Sequence, residues 1–217
     1  MKILEIESVA VEGHRFRTLL SRPAVCAEAV ASIAEAIQET REQMHPQVSS
    51  STKGMHTYAH LMTNLGYAME RHGGRLEVVK GQQRIVFDQT DGLGVLHVTV
   101  TKGTPASGGF EVGEKGTATE QLIGIPQQAF DLDLPAIPMD DGAFLVHAII
   151  PHPHDPEVLD VVVYLAHPAR LNDKKTFLAC DECVLLGRRS IRISQPTLPN
   201  VGAPTVVVTP RVRTARA

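Results

Sequence analysis

The spacing of apolar residues changes at Gly73-Gly74, and this change constrains the fold more than any other feature. Between Ser21 and the glycine pair, apolar residues recur every three or four positions, which is typical of helices with one buried face. After the pair they alternate with polar residues, which is typical of strands with one buried face. The sequence therefore predicts an α+β fold, in which two N-terminal helices pack on a mainly antiparallel sheet.

Both predicted helices have start and stop signals. The first is expected to begin at Ser21 as the cap, with Pro23 in its first turn, and to end before Pro46. The second is expected to begin near Thr52 or Lys53 and to end at Gly73-Gly74, because glycine accepts the left-handed conformation that closes a helix. Its predicted buried stripe is Tyr58, Leu61, Met62, Leu65 and Met69, with Glu70 and Arg71 exposed.

The strand pattern divides the chain into two β units. We expect an N-terminal unit over 1–102, with a strand in 1–12, the two helices and a meander of strands 76–80, 84–88 and 95–102. A Gly/Pro-rich connecting segment follows over 103–142. The second unit, 143–195, is predicted to contain strands 144–150, 158–166, 175–186 and 188–194, the last two joined by a tight turn at Gly187.

The charge is distributed unevenly along the chain. The net charge is −3, but residues 184–217 contain no Asp or Glu and carry +6, so residues 1–183 carry −9. The six basic residues are Arg188, Arg189, Arg192, Arg211, Arg213 and Arg216. With no acidic residue nearby in sequence, we expect them to face water, nucleic-acid phosphates or carboxylates of another subunit. Residues 196–217, which contain four prolines, are predicted to form an extended, flexible basic arm.

Two residue pairs have the spacing of metal ligands. Cys180 and Cys183 are separated by two residues, as are many zinc-binding or redox-active pairs. His152 and His154 supply two further nitrogen ligands if the fold brings them to the same point. Zinc is therefore the cofactor to test, and Asp155 would complete a His/Asp/Cys cluster suited to a metal-dependent hydrolase.

Other polar groups carry weaker signals. His56 and His60 lie one helical turn apart, but Thr57 follows the first histidine where zinc proteases have a glutamate. Two acidic clusters, Asp131 with Asp133 and Asp140 with Asp141, fit either a ligand site or an exposed loop.

These features favour a non-enzymatic binding or assembly protein. The sequence contains no nucleophile elbow, phosphate-binding loop or dinucleotide fingerprint. We therefore expect an oligomer whose Arg-rich arm contacts nucleic acid or a neighbouring subunit, with the metal-dependent hydrolase as the alternative. The odd number of cysteines and the lack of signal-peptide features predict a cytoplasmic protein. The sequence has no apolar run of about 18 residues, so we expect that the protein does not enter a membrane.

Overall fold

The helices precede most of the sheet, as the sequence predicts. The computed structural model describes residues 3–5, 16–44, 48–79, 81–88, 94–114 and 141–193. The helices in these ranges are α1 (Arg17–Leu20), α2 (Pro23–Gln43) and α3 (Ser50–Glu70). The strands are β1 (Ile3–Glu5), β2 (Arg75–Val79), β3 (Gln82–Asp88), β4 (Val95–Ala106), β5 (Gly109–Val112), β6 (Asp141–Pro151), β7 (Val158–Leu171) and β8 (Phe177–Arg192).

The start of α2 differs from the prediction. Arg22 is the N-cap residue, but its side chain makes no capping hydrogen bond. Pro23 lies in the first turn, as predicted. Ser21 instead ends α1, and its backbone N–H donates to the carbonyl oxygen of Arg17 at 3.0 Å. The prediction of Ser21 as a cap is wrong because the one-turn helix α1 was missed.

Helix α3 has the predicted buried face. The Ser49 hydroxyl accepts a hydrogen bond from the Thr52 N–H at 3.3 Å and caps the helix. At the other end Gly73 has a φ of 80°, and the Gly74 N–H donates to the Met69 carbonyl oxygen at 2.9 Å. The predicted stripe is confirmed: Leu61, Met62, Leu65 and Met69 are buried, Tyr58 is half-buried, and Glu70 and Arg71 are exposed.

In the part of the chain that the structure describes, no helix combines the length and apolarity that a membrane span requires.

One sheet contains all eight described strands. Seven of them are ordered β1-β8-β7-β6-β4-β3-β2, and β5 pairs with both β4 and β8. Only the β1–β8 and β4–β6 pairs among these are parallel, so the sheet is mainly antiparallel. Helices α2 and α3 cover one face, and their apolar stripes form the larger core with the side chains of that face. The α+β prediction is confirmed.

The two predicted β units are joined within this sheet. Residues Leu96–Lys102 of β4 pair with Asp141–His147 of β6. Strand β4 continues to Ala106 and β5 follows at Gly109–Val112, so strands occupy the start of the predicted connecting segment 103–142. Residues 115–140 of that segment, and the predicted arm 196–217, lie outside the described residues.

Five strands close into a ring. Strand β4 pairs with β6, β6 with β7, β7 with β8, β8 with β5, and β5 returns to β4. Side chains alternate along β7, so Val161 and Val163 face the helices whereas Val162 and Tyr164 point into the ring. The ring interior is a second core filled by Phe110, Val112, Phe144, Val146, Ala148, Val162, Tyr164, Ala166, Leu178, Cys180 and Cys183.

Strand β8 is continuous where two strands were predicted. Gly187 lies inside β8, not in a tight turn. A Cβ atom added there would lie 3.5 Å from Cγ2 of Val30, which places the glycine beneath α2. The prediction of two strands is wrong because β8 continues through Gly187 from Phe177 to Arg192.

Candidate functional site

Two of the predicted contact arginines form ion pairs within their own chain. Arg188 Nη1 lies 3.7 Å from Oδ2 of Asp160, a buried carboxylate on β7. The other oxygen of Asp160 accepts a hydrogen bond from the Ser190 hydroxyl at 2.7 Å. Arg189 Nη1 lies 2.9 Å from Oε1 of Glu35 on α2. Strand β8 is thereby tied to β7 on one side and to α2 on the other.

The third arginine of β8 binds the turn between β6 and β7. Arg192 Nη2 lies 3.3 Å from Asp155 Oδ2, and its Nη1 lies 3.3 Å from Glu157 Oε2. The backbone of Ile193 donates to the Glu157 carbonyl oxygen at 2.7 Å, which fixes the chain where the arm begins. The expectation that residues of this region have no carboxylate partner in their own chain is wrong for Arg188, Arg189 and Arg192. Arg211, Arg213 and Arg216 lie outside the described residues.

Cys180 and Cys183 are buried in the ring interior. Both side chains belong to the second core, and neither forms a disulfide. Two residues of one strand that are three positions apart normally face opposite ways, so a bulge is required. Asp181 is the extra residue, because β7 residue His167 pairs with Glu182 and the next residue, Pro168, pairs with Cys180. Burial raises the pKa of each thiol to about 12.

The cysteine and histidine pairs lie at opposite ends of β7. Cys183 pairs with Ala166, whereas the His152 N–H bonds the carbonyl oxygen of Val158 at 3.1 Å, where β7 begins. The eight residue-to-residue steps from Val158 to Ala166 correspond to about 26 Å of strand. His154 and His152 are close to each other, with ring centroids 6.1 Å apart. The predicted zinc site is wrong as a site within one chain, because no ion contacts ligands separated by that distance.

The described ranges contain no group of three or more His, Cys, Asp or Glu side chains that could hold a metal ion.

His56 and His60 stack on α3 with ring centroids 6.2 Å apart, and His60 Nε2 lies 2.6 Å from Glu39 Oε2. This contact links α3 to α2 in the helix pair. Of the predicted acidic clusters, Asp131, Asp133 and Asp140 lie outside the described residues.

We expect the thiols to be unreactive in the native protein. Cys26 is also buried, and its pKa is raised to about 11. A disulfide reagent at pH 8 should therefore modify none of the three cysteines, because folded thiols with pKa values of 11–12 remain protonated and buried. All three should react after denaturation in guanidinium chloride. Native reaction of Cys180 or Cys183 at the rate of a free thiol would contradict this placement.

The raised pKa values of the three thiols also determine how the free energy of unfolding changes with pH in the alkaline range. The unfolded chain ionises its thiols near the ordinary pKa of 9.0, whereas the folded chain retains the protons to about pH 11 or 12. The stabilisation from the buried thiols is complete below pH 9 and is lost as the pH rises towards 12.

The bulge at Asp181 creates a histidine–carboxylate contact that sequence reasoning missed. His167 Nδ1 lies 2.6 Å from Asp181 Oδ1, and the imidazole is almost fully buried beside the ring of Phe16. Bulges commonly redirect a side chain in this way. The signal in the sequence was the three-residue spacing of Cys180 and Cys183, which requires an extra residue if both cysteines face inward.

A buried arginine was also missed. Arg84 on β3 is 3% exposed, and its Nε and Nη2 atoms donate to Oε1 of Gln82 at 3.3 and 3.2 Å. Burial lowers the pKa of Arg84, and the nearby Tyr58 opposes that effect. The Tyr58 hydroxyl donates to the carbonyl oxygen of Gln83 at 3.4 Å, which links α3 to the sheet. Arg84 lies on the face of β3 opposite the helices, because its neighbours Ile85 and Phe87 alternate with it along the strand and Ile85 and Phe87 belong to the larger core.

No family model matches the chain, and no curated protein matches its sequence.

Proposed function

We propose that this chain is a non-enzymatic binding or assembly protein that self-associates and uses its basic arm to contact a neighbouring subunit. The supporting observation is the surplus of positive charge beyond β8. Arg188, Arg189 and Arg192 have carboxylate partners within the chain. Residues 193–217 then carry +3 with no acidic residue, while residues 1–192 carry −6.

A neighbouring subunit is the partner that this charge distribution favours. An acidic body repels nucleic acid but attracts the basic arm of another copy. Aromatic residues make up only 4% of the chain and Trp is absent, so stacking with nucleotide bases has little support. The 18 residue-to-residue steps from Ile193 to Arg211 can span at most about 60 Å, enough to reach another molecule. Nucleic acid remains the competing partner in the test.

The metal-dependent hydrolase loses its support from the described residues. Its cysteine and histidine ligands lie about 26 Å apart along β7. Asp155, the third member of that cluster, is an ion-pair partner of Arg192. Cytoplasmic location is part of the proposal, since Cys26, Cys180 and Cys183 are free thiols and free thiols suit a reducing compartment.

Removal of the arm's charge should weaken association without unfolding the protein. The main variant keeps the full chain and replaces Arg211, Arg213 and Arg216 by Gln; a second variant ends after Gln195. Sedimentation should show smaller species for both, while circular dichroism and the thermal midpoint remain those of the native chain. A matched control, Arg189→Gln, removes an ion pair between two exposed side chains, worth at most about 1 kcal/mol, and should leave the size unchanged.

Nucleic-acid binding distinguishes the two partners. If the arm binds phosphates, the logarithm of the association constant should fall steeply with salt, and each lost phosphate contact should reduce that slope by about one. That result, with unchanged oligomer size, would replace the subunit by nucleic acid in this proposal. If neither size nor nucleic-acid binding changes, the arm is inert and the proposal is wrong.

A further inference from the structure

Helix α3 carries two histidines on one face. His56 and His60 are four residues apart, which places them one turn apart on the same side of the helix. Their rings stack at an interplanar angle of 27°, with centroids 6.2 Å apart. His56 is exposed, and 27% of the His60 side chain is exposed. A small ion can therefore reach both imidazoles from the solvent.

A carboxylate of the neighbouring helix lies against this pair. Glu39 on α2 places its Oε2 atom 2.6 Å from Nε2 of His60, and 48% of its side chain is exposed. The amide nitrogen of Asn64 lies 3.5 Å from the same Nε2 atom, which is beyond the usual length of a hydrogen bond. Glu39 is thus the closer partner of His60, and it brings an oxygen ligand from a second helix.

The His60–Glu39 contact has nearly the spacing of two atoms bound to one metal ion. Zinc binds imidazole nitrogen and carboxylate oxygen at about 2.0–2.2 Å, so two ligand atoms of a tetrahedral zinc ion are about 3.4 Å apart. Nε2 of His60 and Oε2 of Glu39 therefore need to separate by less than about 1 Å to hold the ion between them. The ion takes the place of the hydrogen on Nε2, and the neutral imidazole then carries its proton on Nδ1.

His56 reaches the same ion by a rotation of its side chain. Two imidazoles on one tetrahedral zinc ion have ring centroids about 5 Å apart, compared with 6.2 Å between His56 and His60. In the observed conformation the three side chains do not yet enclose an ion, in line with the lack of a formed metal cluster in the described ranges. Exposed side chains change rotamer within nanoseconds, so the exposed ring of His56 makes this shift without movement of the backbone.

We propose that His56, His60 and Glu39 bind one Zn²⁺ ion that links α3 to α2, with water as the fourth ligand. What distinguishes this pair from histidines on an ordinary polar helix face is the carboxylate that α2 places against His60. The ion stabilises the folded chain, because the unfolded chain does not hold ligands of two helices together. The site is separate from the basic arm and from the hydrolase ligands, so it does not rest on the function proposed above.

Calorimetric titration with zinc chloride tests the site in the full chain after treatment with a chelator. The wild-type chain should bind Zn²⁺, and His56→Gln and His60→Gln should each weaken that binding by at least about tenfold, because each removes a ligand. The control is the double variant His152→Gln/His154→Gln, which removes the other exposed histidine pair and should leave this binding unchanged. A wild-type chain that does not bind Zn²⁺, equal affinity in His56→Gln, or loss of binding in the control would overturn the proposal.

Thermal unfolding tests whether the ion links the two helices. Zn²⁺ at about 100 times its dissociation constant should raise the midpoint of the wild-type chain by at least about 5 °C. Glu39→Gln replaces the carboxylate by a weaker ligand, so the increase should be clearly smaller in this variant. Circular dichroism checks that the variants are folded before zinc is added. An equal increase for the wild-type chain and Glu39→Gln would show that α2 contributes no ligand, which contradicts the proposal.

Discussion

Gly109→Ala is expected to lower the free energy of unfolding by about 3 kcal/mol or more, because it prevents the five-strand ring from closing. A Cβ atom at Gly109 would lie 2.0 Å from the Leu178 carbonyl oxygen and 3.0 Å from the Ala179 Cα. Both atoms belong to the backbone of β8, so no side chain can rotate to relieve the clash. Strands β5 and β8 must separate, which uncovers Phe110, a residue with 0% exposure in the ring interior.

Urea unfolding of Gly109→Ala and of a matched control measures this effect. Gly113 lies four residues later, and a Cβ atom added there meets nothing within 4 Å. Gly113→Ala should therefore change stability by less than about 0.5 kcal/mol. The Gly109 variant should also expose Cys180 and Cys183 to disulfide reagents before global unfolding. Equal stabilities for the two variants would show that β5 does not close the ring as described.

Leu65→Ala is expected to cost roughly 2–5 kcal/mol, the usual range for a buried leucine. Leu65 has 0% exposure and lies in the larger core between α3 and the sheet. Chemical denaturation of this variant measures the loss. The control is Glu70→Ala, an exposed position on the same helix, for which little change is expected. A loss below about 0.5 kcal/mol for Leu65→Ala would show that α3 presents a different face to the core.

The helices could be predicted because their signals are local. The three–four spacing from Leu61 to Met69 set the buried face of α3, and Gly73 set its end. The start of α2 was harder to predict. Serine is a common N-cap residue, but Ser21 ends α1 instead. A short helix such as α1 has no periodicity long enough to recognise.

The sheet was predicted in outline only. The alternation of apolar and polar residues identified most strands. It did not show that β4 pairs in parallel with β6, because that contact joins distant parts of the chain. Glycine was misinterpreted at Gly187 for the same reason. Its proximity to Val30 on α2 is a tertiary contact, whereas the sequence offered only the ordinary association of glycine with turns.

The candidate site shows the same limit. A count of charges between Val184 and Ala217 could not reveal that Arg189 meets Glu35 on α2. Similarly, the spacing of Cys180 and Cys183 resembled a ligand pair, yet the bulge at Asp181 turns both thiols into a core. The arginines of β8 are thereby structural contacts, and the functional proposal rests on the arginines beyond it.

The most direct test of the central claim, that this is an assembly protein, is the mass of the full chain in solution. Sedimentation across the micromolar range should show a species larger than one chain. The Arg→Gln replacements at residues 211, 213 and 216 should reduce the mass of this species, because they remove the positive charge of the arm. A wild-type chain that remains monomeric over this whole range would contradict the account.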